Sequence, residues 1–380
     1  MYEKELNFAD ISLEERIEYL KEKTGLTDAE TDLIKNGTGL DVEKAQIMTE
    51  QVIGTYGLPY SIAPGFMING KEMVVPMVGE EPYVTKSTTS GAVLAKKNGG
   101  FITSNTGSVM IGQVQVTGCS NPYTAKLQVI EHKQEIIEIA NACDPVLVSF
   151  GGGCFDVEPR VLDSRIGAML VVHLIINVKD AMGAQAINAM AEAVSKKIEE
   201  ITGGKVNIKV LSNLATYRIV RSRVKISKES LGGEQNVDKF VSAWAFADAD
   251  QYRATTHNKG VMNGIIPVVV ATGNDTRAVE SGVHSYACLS GKYKPITTWE
   301  KDVNGDLQGM IEIPMAVGIV GGTTKLHPTA QLSLKIMDIH SAQELAEVIA
   351  SVGLAANLGV LYSLVTVGLR GDFDAARENK

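Results

Sequence analysis

The chain has 380 residues, 36 lysines and arginines against 44 aspartates and glutamates, and a formal net charge of −8. With 44% hydrophobic and 21% charged residues it lies in the globular range, which excludes a disordered or fibrous chain. The acidic balance argues against a nucleic-acid binder, which presents a basic face. The length exceeds one ordinary core, so two domains are expected.

The opening MYEKELNFAD holds neither a basic start nor an apolar run, so no secretory signal is expected. Two helices should follow, opened by capping boxes (Ser12 with Glu15, Thr27 with Glu30) and closed near Gly25 and Gly37. Residues 60–80 read as strand, turn and strand around Asn69-Gly70, a hairpin signal. Glu80-Glu81-Pro82 then leads into a helix running to about Lys97. Adjacent carboxylates, if buried, oppose each other's ionisation, so one can serve as an acid; a solvated helix start is the simpler explanation.

From 108 to 216 the pattern changes. SVMIGQVQV alternates as a strand, and Asn121 to Ala142 is periodic as a helix. FDVEPRVL and AMLVVHLIINV read as strands, Asp180 to Ile201 as a helix, and VNIKVLS as a last strand. That order, β-α-β-β-α-β, is the split βαβ or ferredoxin-like arrangement. Residues 1–107 and 217–380 would form one larger mixed α/β domain into which this unit is inserted, giving an α+β chain. Val348 to Leu369 carries no charge and is long enough to span a membrane. Its Ser351, Gly353, Asn357, Gly359, Ser363 and Thr366 favour a helix buried through the middle of the large domain instead. Cys119, Cys143, Cys154 and Cys288 form no Cys-x-x-Cys pair and no zinc pattern, so no metal is expected and a reducing cytoplasm fits.

Three stretches can carry chemistry. Asp180-Ala-Met-Gly-Ala-Gln-Ala-Ile-Asn188 joins an apolar strand to a helix, and a helix N-terminus offers free N–H groups to a phosphate. Gly183 and Ala184 would let a pyrophosphate approach; equally, Asp180 could simply cap the helix. The runs Gly151-Gly152-Gly153 and 317–325 mark tight turns or a ligand touching main chain. Tyr252 to Gly264, followed by Ala271-Thr-Gly-Asn-Asp275, places a lysine near an aspartate, a pair able to polarise a carbonyl oxygen; a solvated loop with an incidental ion pair is the alternative.

Taken in order, EQVIGTYGLP (50–59), INGKEMVVPMVGEEP (68–82), DAMGAQAINAMAEAV (180–194), YRATTHNKGVMNG (252–264), ATGND (271–275), TTWEKD (297–302) and VGIVGGTTKLHPTAQLSL (317–334) resemble the 3-hydroxy-3-methylglutaryl-coenzyme A reductases, in particular the soluble class II of bacteria and archaea. The resemblance implies Glu81, Lys259 and Asp275 as catalytic residues. Lys259 would stabilise the oxyanion, Glu81 would supply a proton, and Asp275 would link the two. It implies Arg253, Asn263 and Asn357 at the substrate, and Asp180, Met182, Gly183, Ala184, Gln185 and Asn213 at a nicotinamide cofactor. Asp144 falls where an acidic residue binds the adenosine ribose, which favours NAD over NADP, with NADP possible. The implied reaction converts hydroxymethylglutaryl-coenzyme A to mevalonate and coenzyme A at the expense of two reduced cofactors, or the reverse. A cytoplasmic homodimer or higher homo-oligomer with a shared site is implied too, without nucleic acid or membrane.

Several positions depart from the family pattern. Gln51 and Gln185 stand where the family has asparagine, Tyr83 replaces a small hydroxyl residue, and Ala356 replaces a glutamine. The chain also stops where the family continues into a mobile C-terminal module with a histidine that protonates the thiolate; none of His132, His173, His257, His284, His327 and His340 carries over to that role, and His257 and His327 read as structural. The alternative these departures raise is an acyl-coenzyme A or nucleotide-binding homologue with impaired catalysis.

Overall fold

Both capping boxes close. Ser12 Oγ accepts from Glu15 N at 3.2 Å and Glu15 returns the bond to Ser12 N at 2.8 Å, opening α1 (Leu13–Thr24). Thr27 and Glu30 do the same for α2 (Asp28–Lys35), and Asp41 caps a third helix, α3 (Val42–Met48), that the sequence reading lacks. This is a computed structural model, and it describes residues 8–37 and 39–366. The expectation about a C-terminal module falls on residues outside that range.

Next comes the hairpin β1 (Tyr60–Ile68) and β2 (Lys71–Val78), with Asn69 at φ 50° and Gly70 at φ 79°, the positive angles a tight two-residue turn requires. Helix α4 (Val84–Lys97) and β3 (Ile102–Asn105) follow. The chain then builds a separate unit. It contains β4 (Val109–Thr117), α5 (Pro122–Glu131), α6 (Lys133–Ala142), α7 (Pro145–Ser149), β5 (Gly153–Leu162), β6 (Met169–Asn177), α8 (Ala184–Ala193), α9 (Ser195–Thr202) and β7 (Lys205–Ser212). Its sheet is antiparallel in the order β5-β6-β4-β7. The helices expected over 121–142 and 180–201 each come in two pieces, broken at His132 and Val194. The nearly continuous apolar run of β6 matches a strand buried along almost its whole length. Met110, Val114, Leu170, Leu174, Ile187 and Ile198 are among its core residues.

The rest of the chain supplies β8 (Ile219–Ile226), α10 (Glu234–Ala249), α11 (Gln251–Ala271), α12 (Thr276–Tyr286), β9 (Thr297–Lys301), β10 (Leu307–Pro314), α13 (Gly322–Leu326), α14 (Pro328–Met337) and α15 (Ala342–Thr366). Its sheet runs β3-β8-β10-β9. The smaller unit comprises Thr106–Ile219 together with Pro314–Gly318. The expected boundary at 217 therefore shifts, and a short return segment moves out of the larger domain. Two contacts tie that segment in: Met315 N donates to Arg218 O at 3.0 Å, and Gly318 lies so close to the 180–182 turn that an added Cβ would sit 2.5 Å from Met182 N.

Helix α15 is long and apolar enough to cross a membrane, yet 72% of its most apolar stretch is buried inside the protein. Glycines make that burial tight. An added Cβ at Gly91 would overlap Ala355 O, one at Gly359 would overlap Ser87 O, and one at Gly264 would lie 2.7 Å from Val352 O. Backbone therefore meets backbone where α4 and α11 cross α15. The polar stretch 252–264, for which a solvated loop was an alternative, is helical throughout.

Candidate active site

Glu81 sits just beyond β2, and Lys259 lies midway along α11. The end of β2 packs on α11, where an added Cβ at Gly79 would lie 3.6 Å from the Pro267 ring. That contact brings the two side chains together. Lys259 Nζ donates to Glu81 Oε1 at 2.8 Å and Oε2 at 2.6 Å, with the side chains 58% and 47% exposed. A solvent-reachable ammonium on a carboxylate contributes little to stability, so the pair is more informative as chemistry than as a staple. Asn263 lies one turn along α11 from Lys259 and is half-buried. Arg253, also half-buried, lies near the helix start, and burial lowers its guanidinium pKa.

Asp275 is placed differently from its neighbours in the expectation. It caps α12, accepting at Oδ1 from Arg277 N (2.9 Å) and Ala278 N (3.2 Å), and pairs with Arg277 Nη2 at 3.2 Å. No hydrogen bond links it to Lys259 or Glu81 among the described residues. Asn357 is in the core: 3% exposed, its Oδ1 accepts from Trp299 Nε1 at 2.8 Å and Thr297 Oγ1 at 3.1 Å. The expected substrate-facing amide is thus an organiser of α15 and β9. Ala356 is equally buried where Gly264 crosses, so a longer side chain there would have to displace α11.

His257, two residues before Lys259, is 2% exposed and bonded through Nε2 to Thr297 Oγ1 at 2.6 Å. Burial, with Arg253 adding to it, pulls its pKa down from about 6.5 to about 4. The unfolded chain therefore takes up a proton that the folded protein refuses between those values. Stability is lost as pH falls through that window, by up to about 3 kcal/mol. Urea unfolding near pH 7 and near pH 5 should show this slope in the wild type and a shallower one in His257→Leu.

A cavity of about 960 Å³ opens beside this pair within the larger unit, lined by Glu81, Tyr83, Lys86, Val270 and His327 among others. Burial lowers the His327 pKa, and its Nδ1 is buried without a hydrogen-bond partner. Two of the departures from the family pattern share a backbone feature: Gln51 (φ 60°) and Tyr83 (φ 67°) are left-handed. Asparagine tolerates that region better than glutamine, so Gln51 holds its conformation at some cost.

In the smaller unit Asp180, Met182, Gly183 and Ala184 form the turn into α8, with Gln185 exposed on its first turn and Asn213 exposed after β7. Gly183 has φ 103° and no side chain caps the helix, so the first N–H groups of α8 have no side-chain competitor. That N-terminus fits a pyrophosphate. Asp144 caps α7 through Leu147 N at 2.9 Å. Sequence reasoning missed Arg218. It is 4% exposed, and its guanidinium donates to Ala181 O (3.2 Å), Met182 O (3.3 Å) and Val317 O, clamping the turn. Burial lowers its pKa to about 10, opposed by Asp180. An arginine directly before a strand that itself holds Arg221 and Arg223 carries no signal that would have revealed this.

Residues 12–371 match the hydroxymethylglutaryl-coenzyme A reductase family. A 3-hydroxy-3-methylglutaryl-coenzyme A reductase of Archaeoglobus fulgidus is 51% identical over 373 residues, 98% of this chain and 85% of the relative. A protein of Borreliella burgdorferi described as a probable reductase of the same name is 32% identical over 85% of this chain and 74% of its own. Among solved structures, the class II 3-hydroxy-3-methylglutaryl-coenzyme A reductase of Streptococcus pneumoniae, bound to NADPH in open conformations, is 36% identical with a TM-score of 0.92, covering 95% of this chain and 99% of that one.

Proposed function

The chain belongs to the hydroxymethylglutaryl-coenzyme A reductase family, and from that premise we propose that it reduces 3-hydroxy-3-methylglutaryl-coenzyme A to mevalonate and coenzyme A with two NAD(P)H. The observation that carries this reading is the Glu81–Lys259 pair, two-pronged and open to solvent. The nicotinamide supplies hydride when bound. Lys259 would release one of its two carboxylate contacts to hold the thioester oxygen as negative charge grows on it. Glu81, freed as the ion pair opens and exposed to solvent, would take up a proton from water and deliver it to that oxygen. Arg253 and Asn263 flank Lys259 on α11 and would hold the carboxylate and hydroxyl of the substrate. Asp275 would act through its charge alone, since its hydrogen bonds stay within α12.

The smaller unit would hold the cofactor, its pyrophosphate on the α8 N-terminus and its ribose near Asp144 and Asn213. Its βαββαβ order, with the second and third strands ahead of the first and fourth across the sheet, supports reading it as a ferredoxin-like domain. The likeness to a class II enzyme supports placing this chain in the same class, and four free thiols fit a reducing cytoplasm. The test is turnover: adding hydroxymethylglutaryl-coenzyme A should oxidise NADH or NADPH. Saturable binding without oxidation would favour an impaired acyl-coenzyme A binder instead.

A homo-oligomer is part of the proposal. Residues 51–59 run without helix or strand, and within them Ile53 and Tyr56 are 102% and 90% exposed. Apolar side chains held out in a motif segment suit burial against a second copy. Ile53→Asp should convert the oligomer to monomer on size-exclusion chromatography with light scattering, and lower activity with it.

A further inference from the structure

Helix α11 presents Lys259 to Glu81, and the residues that fix its opposite side are polar. His257 bonds to Thr297 Oγ1 at 2.6 Å, and the next residue, Asn258, accepts from Ile296 N at 3.0 Å and donates to Lys294 O at 2.9 Å. Two successive buried side chains thus grip residues 294–297, which Trp244 Nε1 also anchors through Thr297 O at 2.7 Å. Close packing at Gly264 seats the helix on α15, and these hydrogen bonds add a directional constraint that apolar contact lacks. This grip fixes its setting immediately before the lysine.

The proton positions follow from donor and acceptor rules. Trp299 Nε1 can only donate, so the Asn357 atom it meets at 2.8 Å is the carbonyl oxygen. That oxygen can only accept, so the Thr297 hydroxyl at 3.1 Å donates to it. Thr297 Oγ1 is then left as an acceptor for His257, whose Nε2 must carry a proton. His257 Nδ1 is buried without a hydrogen-bond partner. As a donor it would be stranded, so it is the bare nitrogen. A leucine would fill this core position without leaving a polar atom unsatisfied, and such an atom in a native core calls for an explanation.

We propose that His257, held as the neutral tautomer with its proton on Nε2, is the positioning residue that sets Lys259 against Glu81. The inference deepens the proposed function and rests on Lys259 acting at the substrate carbonyl. Its effect is transmitted through α11, since His257 itself faces Thr297 and, through it, Asn357 of α15.

Nitrogen-15 NMR of the histidine-labelled full chain at neutral pH should show His257 protonated at Nε2 and bare at Nδ1. A proton on Nδ1, or a charged ring, would overturn the proposal. His257→Gln keeps an N–H near the Nε2 position and should retain kcat within about threefold. His257→Leu should lower kcat about tenfold or more, since a displacement near one ångström is that costly, with KM for hydroxymethylglutaryl-coenzyme A within about threefold. Its thermal midpoint should not fall, because a stranded acceptor has been removed. Wild-type kcat in His257→Leu, or a loss that merely follows the unfolded fraction, would refute a positioning role. Should that variant not fold, Thr297→Val removes the acceptor at near-constant volume and carries the same expectation for kcat. If Lys259→Ala proves fully active the functional reading fails, and the tautomer measurement still decides the hydrogen-bond assignment.

Discussion

Lys259→Ala should lower kcat for hydroxymethylglutaryl-coenzyme A reduction by about 10²–10³-fold, the loss seen when one preorganised donor to a developing oxyanion is removed. The protein should stay folded. Lys259 is 58% exposed and its ion pair spans two exposed side chains, so its removal costs within about 1 kcal/mol of stability. Lys259→Arg should not restore the rate, because a planar fork places its donors differently from a compact ammonium. Steady-state kinetics with circular dichroism of each variant checks both halves. A variant within tenfold of wild type would remove Lys259 from the chemistry.

The second large effect is on the scaffold. Gly359→Ala should destabilise the protein by about 3 kcal/mol, at the upper end for inserting a methyl into a packed core. The new Cβ would overlap Ser87 O, a backbone atom of α4 that cannot swing aside as a side chain can. Because α4 begins at Val84, just after Glu81, displacing it would also disturb the carboxylate proposed to act in catalysis. Urea unfolding should show the lower midpoint, and activity should fall even where the variant is folded. An unchanged midpoint would contradict a backbone-to-backbone crossing of α4 and α15.

Local rules made much of this legible from sequence. Capping boxes at Ser12 and Thr27 depend on residues three apart, and the Asn69-Gly70 turn on two adjacent ones, so composition suffices to read them. The charge-free stretch after Val348 was readable as a core helix because its small residues suit close crossing, and that is where Gly353 and Gly359 stand. What local pattern could not supply was long-range geometry. Helix α3 has a cap but too short an apolar pattern to be noticed, and the helix breaks at His132 and Val194 carry no proline or glycine. The family resemblance puts Asn357 at the substrate, and local pattern says nothing of Trp299 and Thr297, some sixty residues away, which donate to its Oδ1. Arg218 shows the same limit, since its three carbonyl acceptors come from two distant turns. Glu81 and Lys259, separated by 178 positions, were paired by resemblance to a family, and spacing alone would not have joined them.

The central claim is that the Glu81–Lys259 pair carries a thioester through to an alcohol. The most direct test is to count mevalonate formed against cofactor oxidised when the wild-type protein meets limiting hydroxymethylglutaryl-coenzyme A. The account predicts one mevalonate and one free coenzyme A thiol for every two reduced cofactors consumed. Thioester that binds and is recovered unchanged, with no cofactor oxidised, would contradict it.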